Sequence, residues 1–138
     1  MARLLTSVVF VAALAAASVL SGAPASVSYR TLRFAHIFSL GGVGITGKRT
    51  PEENAYERLI RTSNAEQQLR SLLGEAATLE GKMYALYGLR QLRVRDYWNL
   101  AMPYPRGHGP VNTAFACIVG IEDVSETVRG IDHAYAIK

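Results

Sequence analysis

The chain has 138 residues, 49% of them hydrophobic, and a formal net charge of +4. That length suits one domain rather than two, and the composition excludes the disordered and fibrous classes. A single cysteine, Cys117, excludes an intrachain disulfide framework.

The charge is uneven. Residues 1–25 carry only Arg3, and residues 26–49 carry Arg30, Arg33, Lys48 and Arg49 without an acid. Residues 50–138 carry ten Lys or Arg against eleven Asp or Glu. The positive excess therefore lies in a short segment. A nucleic-acid binder places its basic stripe on the domain itself, so no nucleic-acid partner is expected. A solvated basic linker accounts for the segment, with approach to a membrane surface as the alternative.

Met1-Ala2-Arg3 is a short positive start, Leu4–Leu20 is an apolar run, and Ala23-Pro24-Ala25 offers small residues at a cleavage site. This order predicts a cleaved signal peptide over residues 1–25 and an exported, periplasmic or extracellular, mature protein. Two alternatives stay open: retention of residues 4–20 as a membrane anchor, and organelle import. Residues 26–49 read as a basic, Gly-rich arm or linker. Within it Arg33–Leu40 is a short strand or ordered arm, and Gly41–Gly47 is a flexible connector.

Residues 50–138 read as a helical domain. Thr50, Pro51 and Glu53 predict a capped helix start, with Ala55, Tyr56, Leu59 and Ile60 on its apolar side. Ser63 and Glu66 repeat the capping spacing, and Leu69, Leu72 and Leu73 form the next stripe. The short connection predicts that these two helices form a hairpin. A third helix runs from Leu79 or Glu80 to about Arg95, with apolar residues on two opposite sides, which predicts a place between neighbours. Gly81 and Gly88 lie where they would permit close helix approach. Tyr97–Met102 continues or restarts the helix, and Pro103–Pro110 is a loop. Val111–Val119 is ambiguous between a strand and a buried turn, and Glu122–Ile131 is a final helix. The expected fold is mainly α: a bundle of about four helices with an extended N-terminal arm.

The run Gly81-Lys82-Met83-Tyr84-Ala85-Leu86-Tyr87-Gly88-Leu89, preceded by a capped hairpin, resembles helical-repeat proteins of the HEAT type. Gly41-Gly42-Val43-Gly44, with Cys117-Ile118-Val119 later, is similar to small uncharacterised exported bacterial proteins. The first resemblance implies stacked antiparallel helices and a binding surface without a catalytic site. The chain holds at most two such units.

Several candidate sites lose to plainer readings. Gly42-Val43-Gly44-Ile45-Thr46-Gly47 fits G-x-G-x-x-G, and Gly42–Lys48 fits most of a P-loop. Yet Arg49 stands where magnesium needs Ser or Thr, and no parallel βαβ pattern follows. Cys117 is a candidate reactive thiol, with His108 or His133 as base and Asp123 or Asp132 as orienter. Its apolar neighbours favour a small buried hydrophobe, and a Cys117-linked homodimer is a further reading. His36, His108 and His133 are too scattered to predict a metal site, and no cofactor is expected. Tyr97, Trp98 and Tyr104, beside Arg90, Arg93, Arg95 and Arg106, form the densest aromatic and basic cluster. Such residues make hot spots at protein interfaces, and the plainer reading is that Trp98 caps the core while the arginines shield it. The leading expectation is a non-enzymatic protein-binding or structural module contacting another protein there. A thiol-dependent hydrolase using Cys117 and a membrane-anchored accessory subunit are the alternatives.

Overall fold

In the computed structural model residues 26–136 are described, and the expected leader with its cleavage site lies outside them. The elements are α1 (Val27–Arg33), β1 (Phe38–Val43), α2 (Pro51–Leu59), α3 (Ala65–Glu75), α4 (Leu79–Gln91) and α5 (Tyr97–Ala101). A 3-10 turn (Tyr104–Arg106), β2 (Pro110–Ala116), β3 (Ile118–Asp123) and α6 (Val124–Ala136) complete the order. The strands form a mixed sheet in the order β1-β2-β3, with β1 parallel and β3 antiparallel to β2.

The expected mainly α, four-helix bundle is therefore corrected to an α/β fold: six helices and a three-stranded sheet among the described residues. The strands lack a clear alternating pattern for physical reasons. β1 contains Gly41 and Gly42. β2 buries Val111 and Thr113 on one side and, on the other, Ala114 between the exposed Asn112 and Ala116. The partner of β1 also lies about seventy-five residues away in sequence, with Phe38 opposite Thr113 and Leu40 opposite Phe115.

The extended arm is corrected as well. Ser26 caps α1 by accepting a hydrogen bond from the Tyr29 N–H at 3.1 Å. Tyr29, Leu32, Ala35 and Phe38 are all buried in the main core. Arg30 and Arg33 stand in the last turn of α1, where cations complement the helix C-terminus. Arg33 Nε also donates to the Glu75 carbonyl at 3.2 Å. Much of the basic segment is thus helix and strand, folded onto the body of the molecule.

Thr50 and Pro51 start α2 as their types dictate, with the Thr50 hydroxyl accepting from the Glu53 N–H at 3.1 Å. The second capping signal fails. α3 begins at Ala65 after Asn64, whose side chain accepts from Gln68 and not from a helix N–H. The hairpin is also placed differently. α2 packs against α1, and α3 packs against α4, whereas α2 and α3 share little contact.

α4 lies at the centre, touching α1, α3, α5, α6, β1 and β2. Both of its sides are buried, through Met83, Tyr84, Ala85, Leu86 and Leu89. A Cβ on Gly81 would stand 2.5 Å from the Leu32 carbonyl oxygen, and one on Gly88 would stand 2.6 Å from Leu69 Cδ1. These glycines set the spacing to α1 and α3. Buried polar groups join α4 to the sheet. The Tyr84 hydroxyl donates to the Ser39 carbonyl and accepts from the Ser39 N–H. Glu80 Oε1 accepts from the Asn112 backbone N–H and its side-chain amide, both at 2.9 Å.

Candidate functional site

The glycine run is an ordered turn whose anion-binding groups are already occupied. Gly41, Gly42, Gly44 and Gly47 all have positive φ, and Val43 bridges to Lys48 across the turn. A Cβ on Gly42 would lie 2.2 Å from the Gly47 carbonyl oxygen, so only glycine fits. The Gly41 and Gly42 N–H groups form a nest of the kind that holds phosphate. Here the nest holds the buried Glu53 carboxylate, which accepts from Gly41 at 2.7 Å and from Gly42 at 3.1 Å. Glu53 closes a link between helix and loop in place of the reciprocal bond of a capping box.

Cys117 is exposed, which corrects the expectation of a buried small hydrophobe. It sits with Ala116 in the two-residue turn joining β2 to β3. The reason is the hairpin: its apolar neighbours lie at a strand tip, where few other groups reach to cover the thiol. His108 lies at the other end of the same hairpin. There its ring approaches Asp123, with Nδ1 3.8 Å from Oδ2. The length of β2 separates His108 from the tip by roughly 20 Å. His133 lines a different groove, beside Trp98. The structure therefore does not bring Cys117 to His108. Asp123 serves the hairpin base instead, accepting from the Ser125 N–H and hydroxyl and from the Gly109 N–H. These bonds, with His108 nearby, hold its carboxyl below the usual range.

The aromatic cluster divides into core and surface. Tyr97 is buried, and its hydroxyl donates to Asp132 Oδ1 at 2.9 Å. Burial, then the Asp132 bond, pushes its phenol well above the ordinary value. Tyr104 is partly buried and packs on the core, and its phenol is raised by burial. Arg93 and Arg106 are exposed. Arg93 has φ +54 at the end of α4, where its backbone role is to reverse the chain. Trp98 alone of the three aromatics projects outward, at 55% exposure, which corrects the reading of its ring as a cap on the core.

Arg90 organises this surface. Its guanidinium lies 5.2 Å from the Tyr97 ring centroid and 4.7 Å from that of Trp98. The two rings meet edge to face at 5.3 Å. Arg90 Nε is buried without a hydrogen-bond partner among the described residues, so stacking is what holds this part of the side chain. The indole borders a shallow groove of about 310 Å³ shared with Arg129, Asp132 and His133 of α6. Met102 is also exposed, one helical turn from Trp98. The spacing of Arg90, Tyr97 and Trp98 hinted at the cluster, but only the fold shows which ring is free.

A second opening of about 400 Å³ lies between the sheet and α6, bounded by Phe38, Leu40, Tyr87, Phe115 and Ile131. Glu122 and Thr127 stand beside it, 3.3 Å apart through the threonine hydroxyl. Sequence reasoning missed this opening because its walls come from β1, β2, α4 and α6. Among the described residues no three His, Cys, Asp or Glu side chains converge as metal ligands, and no helix is long and apolar enough to cross a membrane. No protein-family model, curated protein or solved structure matches the chain.

Proposed function

We propose that the protein is an exported, non-enzymatic binding module that contacts another protein through the surface around Trp98. The observation that carries this reading is the half-exposed indole, held by Arg90 against the buried Tyr97 ring. A large aromatic group fixed before contact costs little conformational entropy to bury. That is the physical basis of Trp and Arg hot spots. The adjoining Arg129 and Met102 add residue types such interfaces favour.

The order of residues 1–25 supports export. Cleavage after Ala25 would leave Ser26 as the first residue, and with it the side chain that caps α1. The intact mass of protein recovered outside the cytoplasm is expected to begin at Ser26. A full-length species in the membrane fraction would favour the anchored reading instead.

Trp98 is the only tryptophan in the chain, so its fluorescence reports on this surface directly. In the isolated protein the indole is expected to be open to acrylamide quenching. Covalent capture from the native compartment, using a photoreactive residue at the exposed position 102 beside Trp98, is expected to trap one discrete protein and shield the neighbouring surface. Trp98→Ala is expected to abolish retention of that protein while leaving the helical circular dichroism unchanged. Undiminished retention by Trp98→Ala would overturn the assignment.

A further inference from the structure

β3 is an outer strand of the sheet, with β2 on one side and no strand on the other among the described residues. Its exposed apolar residues are Ile118 (75%), Val119 (65%) and Ile121 (71%). Natural edges are guarded by charged side chains, above all lysine, by proline, by a bulge or by a covering helix, and the charges of β3 are confined to its end, at Glu122 and Asp123. β3 has no Lys, Arg or Pro, and its pairing with β2 runs without a bulge from Phe115–Ile118 to Pro110–Asp123.

We infer that β3 pairs antiparallel with β3 of a second copy of this chain, about a two-fold axis at Gly120, joining two three-stranded sheets into one of six strands. Hydrogen-bond parity is the first reason. In a hairpin with a two-residue turn, the residues flanking the turn exchange backbone bonds with each other. Ile118, Gly120 and Glu122 therefore face β2, and Val119 and Ile121 present their N–H and C=O groups to the free edge. Only registers that match outward groups are possible between two such edges. Centring on Gly120 places Val119 opposite Ile121 of the second copy, and Ile121 opposite its Val119, with four backbone hydrogen bonds.

Side chains and charge favour the same register. Gly120 meets its own copy at the axis in a non-hydrogen-bonded pair, where the two Cα atoms approach to about 4.5 Å. Aliphatic side chains oppose aliphatic side chains on one face, and Ile118 falls opposite Glu122, at the margin of the opening between sheet and α6. Glu122 lies opposite Ile118 and Asp123 opposite Cys117 of the turn, so no two carboxylates face each other. A register centred further along β3 would bring the four carboxylates together. The surface lies on the other flank of α6 from Trp98. Thr127, Ile131 and Ala134 line the sheet-side opening, whereas Arg129, Asp132 and His133 line the Trp98 groove. The pairing therefore stands apart from the protein-binding reading.

The axis can be tested by chemistry. Gly120 has open space where a Cβ would stand and no positive φ, so a side chain there leaves the protomer undisturbed. Gly120→Cys in a Cys117→Ser background is expected to form a covalent dimer on mild oxidation, since the paired Cα separation falls in the disulfide range. In the same register the two native Cys117 thiols lie six residues out of line, roughly 20 Å apart, and are expected not to join. Sedimentation of the protein as recovered from cells is expected to show a concentration-dependent doubling of mass. Ile121→Lys, at an exposed position, is expected to return the mass to that of one chain and to abolish the Gly120→Cys cross-link. A single-chain mass at every concentration, with no cross-link at position 120, would overturn the pairing. A doubled mass that survives Ile121→Lys would overturn it too, as would efficient linkage through native Cys117.

Discussion

Arg93 and Ala116 occupy left-handed backbone at φ +54 and +52, where a side chain collides with its own carbonyl group. Arg93 follows the last turn of α4, and the Val94 N–H returns to the Leu89 carbonyl, the closure that glycine usually makes at a helix end. The strain is worth roughly 1–2 kcal/mol, and the extra freedom of glycine in the unfolded chain offsets roughly half of it. Arg93→Gly is therefore expected to stabilise the protein by up to about 1 kcal/mol, read as a higher urea midpoint with an unchanged slope. Glu53 predicts the opposite sign. Its removal leaves the Gly41 and Gly42 N–H groups without their acceptor, Gly42 being buried. Glu53→Ala is expected to cost about 2–3 kcal/mol, with faster amide exchange at residues 41 and 42 as the local signature. The carboxylate at position 53 was legible as a capping signal. Its true partners were not, because they sit eleven and twelve residues back in a loop whose shape depends on four glycines in positive φ.

At the scale of elements, the local start signal at Thr50 held and the one at Ser63 did not, and pairings with remote partners were not legible. Thr50-Pro51 started α2 as read, and α4 carried two buried sides with glycines at its crossings. Gly88 gives a test of that crossing. A methyl group there must displace the buried tip of Leu69, so Gly88→Ala is expected to destabilise by roughly 1–3 kcal/mol despite the better helix propensity of alanine. Thermal unfolding should show the loss. A neutral or stabilising result would mean that α3 and α4 can separate without cost. The helix α1 is not legible in the sequence because it has only two turns, and its buried Tyr29 and Leu32 make too short a stripe to stand out among cations. Pairing α2 with α3 failed because both helices find larger apolar partners elsewhere, in α1 and α4.

The whole molecule depends on ionised carboxylates at one end of the pH scale and neutral phenols at the other. Asp96 is held below its ordinary pKa chiefly by a two-pronged bond from Arg70, with distances of 2.6 and 2.9 Å, and Asp123 by the bonds at the hairpin base. A depressed folded-state pKa gives stability that is present above the unfolded value near 4 and lost as the pH falls through the folded one. Acidification below about pH 4 is therefore expected to lower the urea midpoint, and less steeply in an Asp123→Asn variant. Tyr29 is pushed up to about 12 by burial and then by its bond to Glu75. A raised phenol leaves stability intact below about pH 10 and removes it as the pH climbs toward 12. Absorbance titration is expected to find some of the seven tyrosines ionising late and together with unfolding. By itself the sequence determined what is local: helix starts written in caps and prolines, the two-sided burial of α4, the breaks, and the aromatic and basic cluster around Trp98. Only the tertiary structure decided that the basic segment becomes α1 and β1, that the glycine nest is filled by Glu53, that Cys117 stands at an exposed tip, and that Trp98 projects while Tyr97 is core. Most of these rest on contacts between residues distant in the chain. Whether such contacts form is settled by which apolar and polar surfaces satisfy one another once the whole chain is folded, and no short window contains both partners.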